Sequence, residues 1–134
     1  MNIALMAHAN RRELLVQFCT AYCGILSQHS LCASSETGFA IQAETGLHID
    51  TIIADSESAF EQIGTRIEYN EIDLVIFFRD IMEMGEIRSG DFILKLCDKN
   101  IIPVATNLAT AEVLIQGLAR GDLDWRDIVK AKGK

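Results

Sequence analysis

Short, continuous apolar runs occur at five places along this chain, and each predicts a strand that is buried on both faces. These runs cover residues 2–7, 30–34, 48–54, 72–78 and 101–106. The run "IDLVIFF" at 72–78 is the strongest strand signal, because β-branched and aromatic residues dominate it.

Between the runs lie longer segments in which apolar residues recur every three or four positions, as on one face of a helix. These segments predict helices over residues 11–27, 37–45, 56–69, 90–99, 108–118 and 122–131. Gly46 follows the second of them at a position typical of a helix C-terminal cap. The last helix is short, acidic where it begins and basic where it ends.

The regular alternation of strand and helix indicates the fold class. Strands with continuous rather than alternating apolar residues are typical of a parallel sheet covered on both faces. The pattern therefore predicts an α/β fold, a three-layer α/β/α Rossmann-like domain with a five-stranded parallel sheet. A chain of 134 residues with one proline and no low-complexity tract is the length of a single domain, 1–134.

In such folds ligands bind at the carboxyl ends of the strands, so the residues that follow each strand are candidates for a site. After the first strand come His8 and Asn10, followed by Arg11 and Arg12 at the start of a helix. Backbone N–H groups at a helix start and a guanidinium both favour an anion. The alternative is a solvated first turn capped by Asn10.

A hydroxyl-rich loop follows the second strand. Ser34, Ser35 and Thr37 could donate to phosphate oxygens, as could the backbone before Gly38. The alternative is a helix cap formed by Ser35 or Glu36.

Charge and cysteine content exclude several function classes. The net charge of −7 and the lack of a basic stripe argue against nucleic-acid binding. No apolar stretch reaches the roughly 18–20 residues of a membrane span, and the N-terminus lacks the signal-peptide pattern, so we expect a cytoplasmic protein with no membrane partner. The four cysteines are then free thiols, more readily explained as small buried apolar residues than as a zinc site.

Four segments, in this order, carry a specific resemblance: "IALMAH", "ASSETG", "IDLVIFFRD" and "IPVATNLATAE". Together they resemble the methylglyoxal synthase family over residues 2–116. The resemblance implies a homohexamer and a reaction, without metal or cofactor, that removes phosphate from dihydroxyacetone phosphate to leave methylglyoxal. In that reaction a carboxylate takes a carbon-bound proton, an enediolate forms, and phosphate leaves by elimination.

The resemblance also implies roles for individual residues. His8 matches the family's histidine after the first strand, Arg12 its phosphate-binding lysine, and Asp80 the aspartate that closes the fourth strand. The family's phosphate loop, Thr-Gly-Thr-Thr-Gly, falls on Ser34, Ser35, Glu36, Thr37 and Gly38.

The match fails at the family's Ser-Gly-Pro-x-Gly-Gly-Asp-Gln-Gln segment, whose aspartate is the catalytic base. That segment falls on "ADSESAFEQ", residues 54–62, so Phe60 takes the base position and Asp55 replaces a phosphate-binding glycine. Glu61, one residue along, is the candidate replacement base. The family's Pro-His-x-Pro-Asp is also absent, since "MEMGEIRSGD" contains no histidine and is one residue shorter.

These departures predict impaired catalysis. Loss of a general base costs about 10²–10⁴-fold in rate. Carboxylates of Glu36 and Asp55 facing Arg12 would each oppose a bound phosphate by roughly 1–4 kcal/mol. We therefore expect a weakened or lost synthase that binds a phosphate or another small polar ligand. The alternative is a silent ligand-binding domain, similar to the effector domain of carbamoyl phosphate synthetases, which would suit a zwitterion.

Overall fold

The computed structural model describes residues 1–132, with side chains described for residues 1–130. The strands are β1 (Asn2–Ala7), β2 (Ser30–Ser34), β3 (Asp50–Ile52), β4 (Leu74–Phe78) and β5 (Val104–Ala105). The helices are α1 (Arg12–Ala21), α2 (Cys23–Leu26), α3 (Ser35–Thr45), α4 (Ser56–Glu68), α5 (Glu86–Ser89), α6 (Asp91–Asn100), α7 (Leu108–Arg120) and α8 (Trp125–Lys132). A 3₁₀ turn, Ala9–Arg11, precedes α1.

The five strands form one parallel sheet in the order β3-β2-β1-β4-β5, which confirms the predicted fold class. From β1 the chain builds outward through β2 and β3, and then crosses back to place β4 on the other side of β1. The strand order therefore reverses between β1 and β4. Ligands of open parallel sheets bind at such a reversal, outside the carboxyl ends of the strands.

Each face of the sheet covers its own apolar core, because neighbouring side chains of a strand point to opposite faces. In β1, Ile3 and Leu5 pack on the face covered by α1, α3 and α7, whereas Ala4 and Met6 pack on the face covered by α4 and α6. All four side chains are buried. This arrangement accounts for the continuous apolar run that the first strand shows in the sequence.

Several element boundaries differ from the sequence-based predictions. The helix predicted over 11–27 is two helices that break at Tyr22 (φ −111°, ψ 24°), two residues before the poor helix former Gly24. The strands predicted over 48–54 and 101–106 are only three and two residues long. Both lie at sheet edges, where a strand has hydrogen-bond partners on one side only.

The four cysteines are free, and Cys19, Cys32 and Cys97 are buried. Burial raises the pKa of the Cys19 and Cys97 thiols to about 12, so both act as small apolar groups in the core. None of the helices among residues 1–132 is long and apolar enough to cross a membrane.

Candidate functional site

A cavity of about 210 Å³ opens where the carboxyl ends of the central strands meet the helices that follow them. Its walls come from the end of β1, the first turns of α1, α3 and α4, and the segment between β4 and α6. The lining residues are Ala7, His8, Ala9, Arg12, Glu36, Ser56, Glu57, Phe60, Glu83 and Arg88. A larger groove of about 890 Å³ lies between α1 and α3 and shares Arg12 with the cavity.

His8 is buried at the end of β1, and protein groups engage both of its ring nitrogens. Its Nδ1 accepts the backbone N–H of Asp80 at 2.7 Å, and its Nε2 lies 2.9 Å from the carbonyl oxygen of Arg88. The first contact requires an unprotonated Nδ1 and the second a protonated Nε2, so the imidazole is neutral. In this state His8 holds the segment after β4 instead of presenting a free nitrogen to the cavity.

Arg12 lies at the start of α1, as the anion hypothesis requires, but its guanidinium already has partners. Nε donates to the Thr37 hydroxyl at 3.2 Å, and Nη2 donates to the Glu36 carboxylate at 3.2 Å. Arg12 and Glu36 are therefore brought together as predicted, with Glu36 on the cation where an anionic ligand would bind.

The hydroxyl-rich loop turns into α3 earlier than predicted. Ser34 is the N-cap residue of α3 without a side-chain capping bond, and Ser35 is already helical. Of the five residues 34–38, Glu36 alone lines the cavity. Thr37 is buried, and a Cβ at Gly38 would stand 2.6 Å from the Thr51 Cγ2, so that glycine is needed for the packing of α3 against β3.

Asp55 does not face Arg12, which corrects the sequence-based expectation. It is the N-cap of α4, and its carboxylate accepts the Ser58 backbone N–H at 2.8 Å and the Ser58 hydroxyl at 3.1 Å. These bonds from Ser58 lower the pKa of Asp55. The carboxylate is a helix cap, pointed at the backbone of its own first turn.

Phe60 lies on the cavity wall, at the position where the resemblance would place the base. Its ring centroid is 6.3 Å from that of His8 and 5.3 Å from that of Phe77, in the apolar core beneath the cavity. Glu61 is exposed and is not among the lining residues, whereas Glu57, one turn before it on α4, is.

Asp80 follows β4 and organises the edge of the site without lining the cavity. Its carboxylate accepts the backbone N–H of Met82 at 3.0 Å and the side-chain amide of Asn10 at 2.9 Å. The bond from Met82, followed by that from Asn10, lowers the pKa of Asp80. Asn10 thus links the 3₁₀ turn to the end of β4 and does not cap α1, whose N-cap residue is Arg11.

The segment after β4 contributes two lining residues that sequence reasoning missed, Glu83 and Arg88. Their side chains pair with each other at 3.4 Å. Arg79 anchors the end of this segment that leads into α6. It pairs with Asp91 and donates to the carbonyl of Ser89 at 3.3 Å. The arginine in "MEMGEIRSGD" is the only sign of this part of the site in the sequence.

The side chains that line the cavity therefore carry a net negative charge. It is lined by two guanidiniums, each paired with a carboxylate, and by the third carboxylate of Glu57. With His8 neutral, the lining adds up to about one negative charge. Such a site can bind an anion only when the anion displaces Glu36 or Glu83. Among the described residues, no group of three or more His, Cys, Asp or Glu side chains could hold a metal ion.

Comparison with known proteins places these observations in a family. The chain is 49% identical over 133 residues to a methylglyoxal synthase of Caldicellulosiruptor saccharolyticus, covering 98% of this chain and 94% of that protein. It is 45% identical over 135 residues to a methylglyoxal synthase of Alkaliphilus metalliredigens, covering 99% and 100%.

A solved structure gives the same result. The crystal structure of methylglyoxal synthase from Elizabethkingia anophelis is similar with a TM-score of 0.77 and 33% identity, over 85% of this chain and 76% of that one. No family model matches the chain.

Proposed function

This chain belongs to the methylglyoxal synthase family, and from that premise we propose that it carries a weakened form of the family reaction. The reaction removes phosphate from dihydroxyacetone phosphate to leave methylglyoxal. The observation that carries the proposal is the Phe60 ring on the cavity wall. The family resemblance aligns this residue with the family's base.

The phosphate group of the substrate would bind beside Arg12, at the start of α1. There the guanidinium and the backbone N–H groups of the helix start favour negative charge. Glu36 competes for the same guanidinium from 3.2 Å away, so a dianion has to displace it. Because Glu36 is 69% exposed, water screens its pairing with Arg12 and the pair contributes only about 0–1 kcal/mol. Displacement of Glu36 is therefore feasible, but it lowers the affinity for the ligand.

Proton removal is the step that this chain supports least well. A carboxylate must take a proton from the carbon beside the carbonyl, after which the enediolate collapses and the carbon–oxygen bond to phosphate breaks. Phe60 cannot accept a proton, and exposed Glu61 does not line the cavity. Glu57 lines it and is the carboxylate on α4 best placed to act as a substitute base.

The direct test measures methylglyoxal released from dihydroxyacetone phosphate by this protein and by the Caldicellulosiruptor saccharolyticus relative. We expect this protein to turn over at least about 100-fold more slowly, the low end of the loss for a missing general base. The Glu57→Gln variant should lose the remaining activity. The Glu61→Gln variant is the matched control on the same helix and should retain it.

Activity equal to that of the relative would refute the proposal. Loss of activity in Glu61→Gln, with retention in Glu57→Gln, would show that α4 turns Glu61 to the substrate and that the assignment of the base is wrong. Undetectable turnover would favour the alternative of a binding domain without catalysis and would also refute a weakened synthase.

A further inference from the structure

The cavity has two guanidiniums, and they lie on different walls. Arg12, at the start of α1, is paired with Glu36 of α3. Arg88, on the short helix α5 that follows β4, pairs with Glu83 of the same segment at 3.4 Å. Among the residues with described side chains, 1–130, these are the only cations that line the cavity. Phosphate binding accounts for Arg12 and leaves the position of Arg88 unexplained.

The backbone of Arg88 is fixed in place. The Nε2 of His8 lies 2.9 Å from its carbonyl oxygen, a contact that joins the end of β1 to α5. Gly90 ends α5 with a φ of +77°, and a Cβ at that position would collide with the ring of Phe77 in β4. Only glycine therefore lets the end of α5 lie so close to the sheet. Both contacts hold Arg88 at the cavity, whatever its side chain binds.

The guanidinium of Arg88, in contrast, can change partners. Its side chain is 64% exposed, and its distance of 3.4 Å from Glu83 exceeds the roughly 2.7–2.9 Å of a strong charge-assisted hydrogen bond. Water screens such an exposed pair, which holds its members only weakly. The side chain of Arg88 can therefore turn from Glu83 to a ligand in the cavity while its backbone stays in place.

The family reaction needs a cation at a second place on the substrate. In the proton-removal step the base takes a proton from the hydroxymethyl carbon, the C–H electron pair forms a carbon–carbon double bond, and the carbonyl π pair moves to oxygen. That oxygen becomes the anion of the enediolate and requires hydrogen-bond donors. His8 cannot donate to it, because its Nδ1 is unprotonated and its Nε2–H is directed at the Arg88 carbonyl.

Resting on the proposed function, we propose that Arg88 is a catalytic residue whose guanidinium donates to the carbonyl oxygen of dihydroxyacetone phosphate and to the enediolate that forms from it. The enediolate has two oxygens on adjacent carbons in one plane, and the planar fork of a guanidinium matches such a pair. With the phosphate at Arg12, the three-carbon chain extends toward the segment after β4, where Arg88 lies. A cavity of about 210 Å³ is smaller than the roughly 300–1,000 Å³ of sites for drug-sized ligands and suits so small a substrate.

Titration calorimetry with two probes tests the assignment. Inorganic phosphate reports on the phosphate position alone, whereas 2-phosphoglycolate adds a planar carboxylate with the charge and the paired oxygens of the enediolate. Arg88→Ala should weaken the binding of 2-phosphoglycolate at least about tenfold, the loss expected for a hydrogen bond to a charged group, and leave the binding of phosphate unchanged. Arg12→Ala should weaken the binding of both probes.

Arg120→Ala is the matched control. Arg120 is 65% exposed and pairs with Asp122 at 2.8 Å, as Arg88 pairs with a carboxylate of its own segment, but it lies on α7 and does not line the cavity. Its replacement should leave both affinities unchanged. Equal weakening of phosphate and 2-phosphoglycolate binding by Arg88→Ala would place the phosphate group at Arg88 and refute the assignment.

Removal of the Glu83 carboxylate should change the affinity in the opposite direction. Glu83→Gln should strengthen the binding of 2-phosphoglycolate about fivefold by releasing Arg88. Adding Arg88→Ala to it should abolish the gain, because the gain depends on that guanidinium. A gain that survives in the double variant would mean that Glu83 repels the anion directly, and it would contradict the proposal.

The turnover assay separates this proposal from the proposed function. Arg88→Ala should lower kcat about 100-fold and change KM less, because the donated bonds strengthen as the oxyanion forms. Wild-type turnover with an equal kcat in Arg88→Ala, or equal affinity of the two proteins for 2-phosphoglycolate, would refute the role of Arg88 and leave the proposed function standing. A wild type without turnover whose binding of 2-phosphoglycolate depends on Arg88 would refute the proposed function and leave Arg88 as an oxyanion-binding residue.

Discussion

The amino edge of the sheet, where the strands begin, and the carboxyl edge, where they end, both carry arginine–carboxylate pairs. The pairs at the two edges differ in burial. At the amino edge, the side chains of Asp73 and Arg126 are 2% and 4% exposed. Arg126 also approaches the side-chain oxygen of Asn70 at 3.4 Å and the Ile101 carbonyl at 2.6 Å. At the carboxyl edge, the side chains of Arg12 and Glu36 are 26% and 69% exposed, and those of Arg88 and Glu83 are 64% and 27% exposed.

This difference in burial separates ion pairs that hold the structure together from ion pairs whose members can change partners. A buried ion is tolerated only when its polar atoms are satisfied, and removing its partner leaves an uncompensated charge in the protein interior. An exposed pair gains little over its hydration, so water or a ligand can take the place of either member. The amino edge therefore holds α8 in place, whereas the carboxyl edge keeps a cavity whose cations can exchange partners.

The largest effect is expected from Arg126→Ala. It removes one member of the buried pair and should lower the free energy of unfolding by about 3–5 kcal/mol. Arg88→Ala is the control from the carboxyl edge and should change the free energy by about 1 kcal/mol or less. Urea denaturation measures both, and equal losses would mean that the two edges do not differ as the burial of their pairs indicates.

Phe60→Asp should have the next largest effect, and on activity. It returns a carboxylate to the cavity wall and should raise the turnover of dihydroxyacetone phosphate roughly 100-fold. Because Phe60 belongs to the apolar core, the same change should lower the free energy of unfolding by about 3–5 kcal/mol.

Phe60→Asn is the matched control for that experiment. Its side chain has nearly the same shape as aspartate and the same cost to the core, but it cannot take a proton. Equal turnover by the Asp and Asn variants, measured below their unfolding temperatures, would show that position 60 does not hold the missing base.

A smaller effect is expected from Glu36→Thr on phosphate binding. Releasing Arg12 from an exposed carboxylate should strengthen the binding of inorganic phosphate by about 1 kcal/mol, roughly fivefold. Arg12→Ala in the same background should reverse the gain. Asp55→Ala is the control, because Asp55 caps α4 and should leave the affinity unchanged. Titration calorimetry decides among these outcomes.

The smallest effect is expected from Asp73→Asn, which should change how the free energy of unfolding depends on pH. Burial alone would raise the pKa of Asp73, but the backbone N–H of Asn2 and the charges of Lys130 and Arg126 outweigh it and lower that pKa. A lowered pKa adds stability above the unfolded value of about 4, and that stability is lost as pH falls through the folded value. The free energy of unfolding should therefore decline more steeply below about pH 4 in the wild type than in Asp73→Asn, and parallel curves would contradict this role.

Local patterns were sufficient for much of this molecule. The apolar run at 72–78 identified the central strand β4 because a strand buried on both faces has no polar positions to interrupt it. The positions of His8 and Arg12 beyond the carboxyl end of the first strand followed from the order of the elements.

Local patterns could not predict the role of a residue whose side chain can form the same hydrogen bonds in two different places. A carboxylate at a helix start can face a ligand or cap its own backbone, and Asp55 does the second. Glu57 and Glu61 both lie on α4, and only the rotation of that helix against the sheet brings Glu57 to the cavity. Arg88 reaches the cavity because His8 holds its carbonyl from 80 residues away.

The sequence alone determined the fold class, the edge of the sheet that holds the cavity and the presence of a phenylalanine at position 60, because these depend on the order and identity of residues. The tertiary structure decided which charges meet: Arg12 with Glu36, Arg88 with Glu83, and Asp73 with Arg126 and Lys130. Such partnerships join residues distant in the chain, and their strength depends on burial, which no local pattern contains.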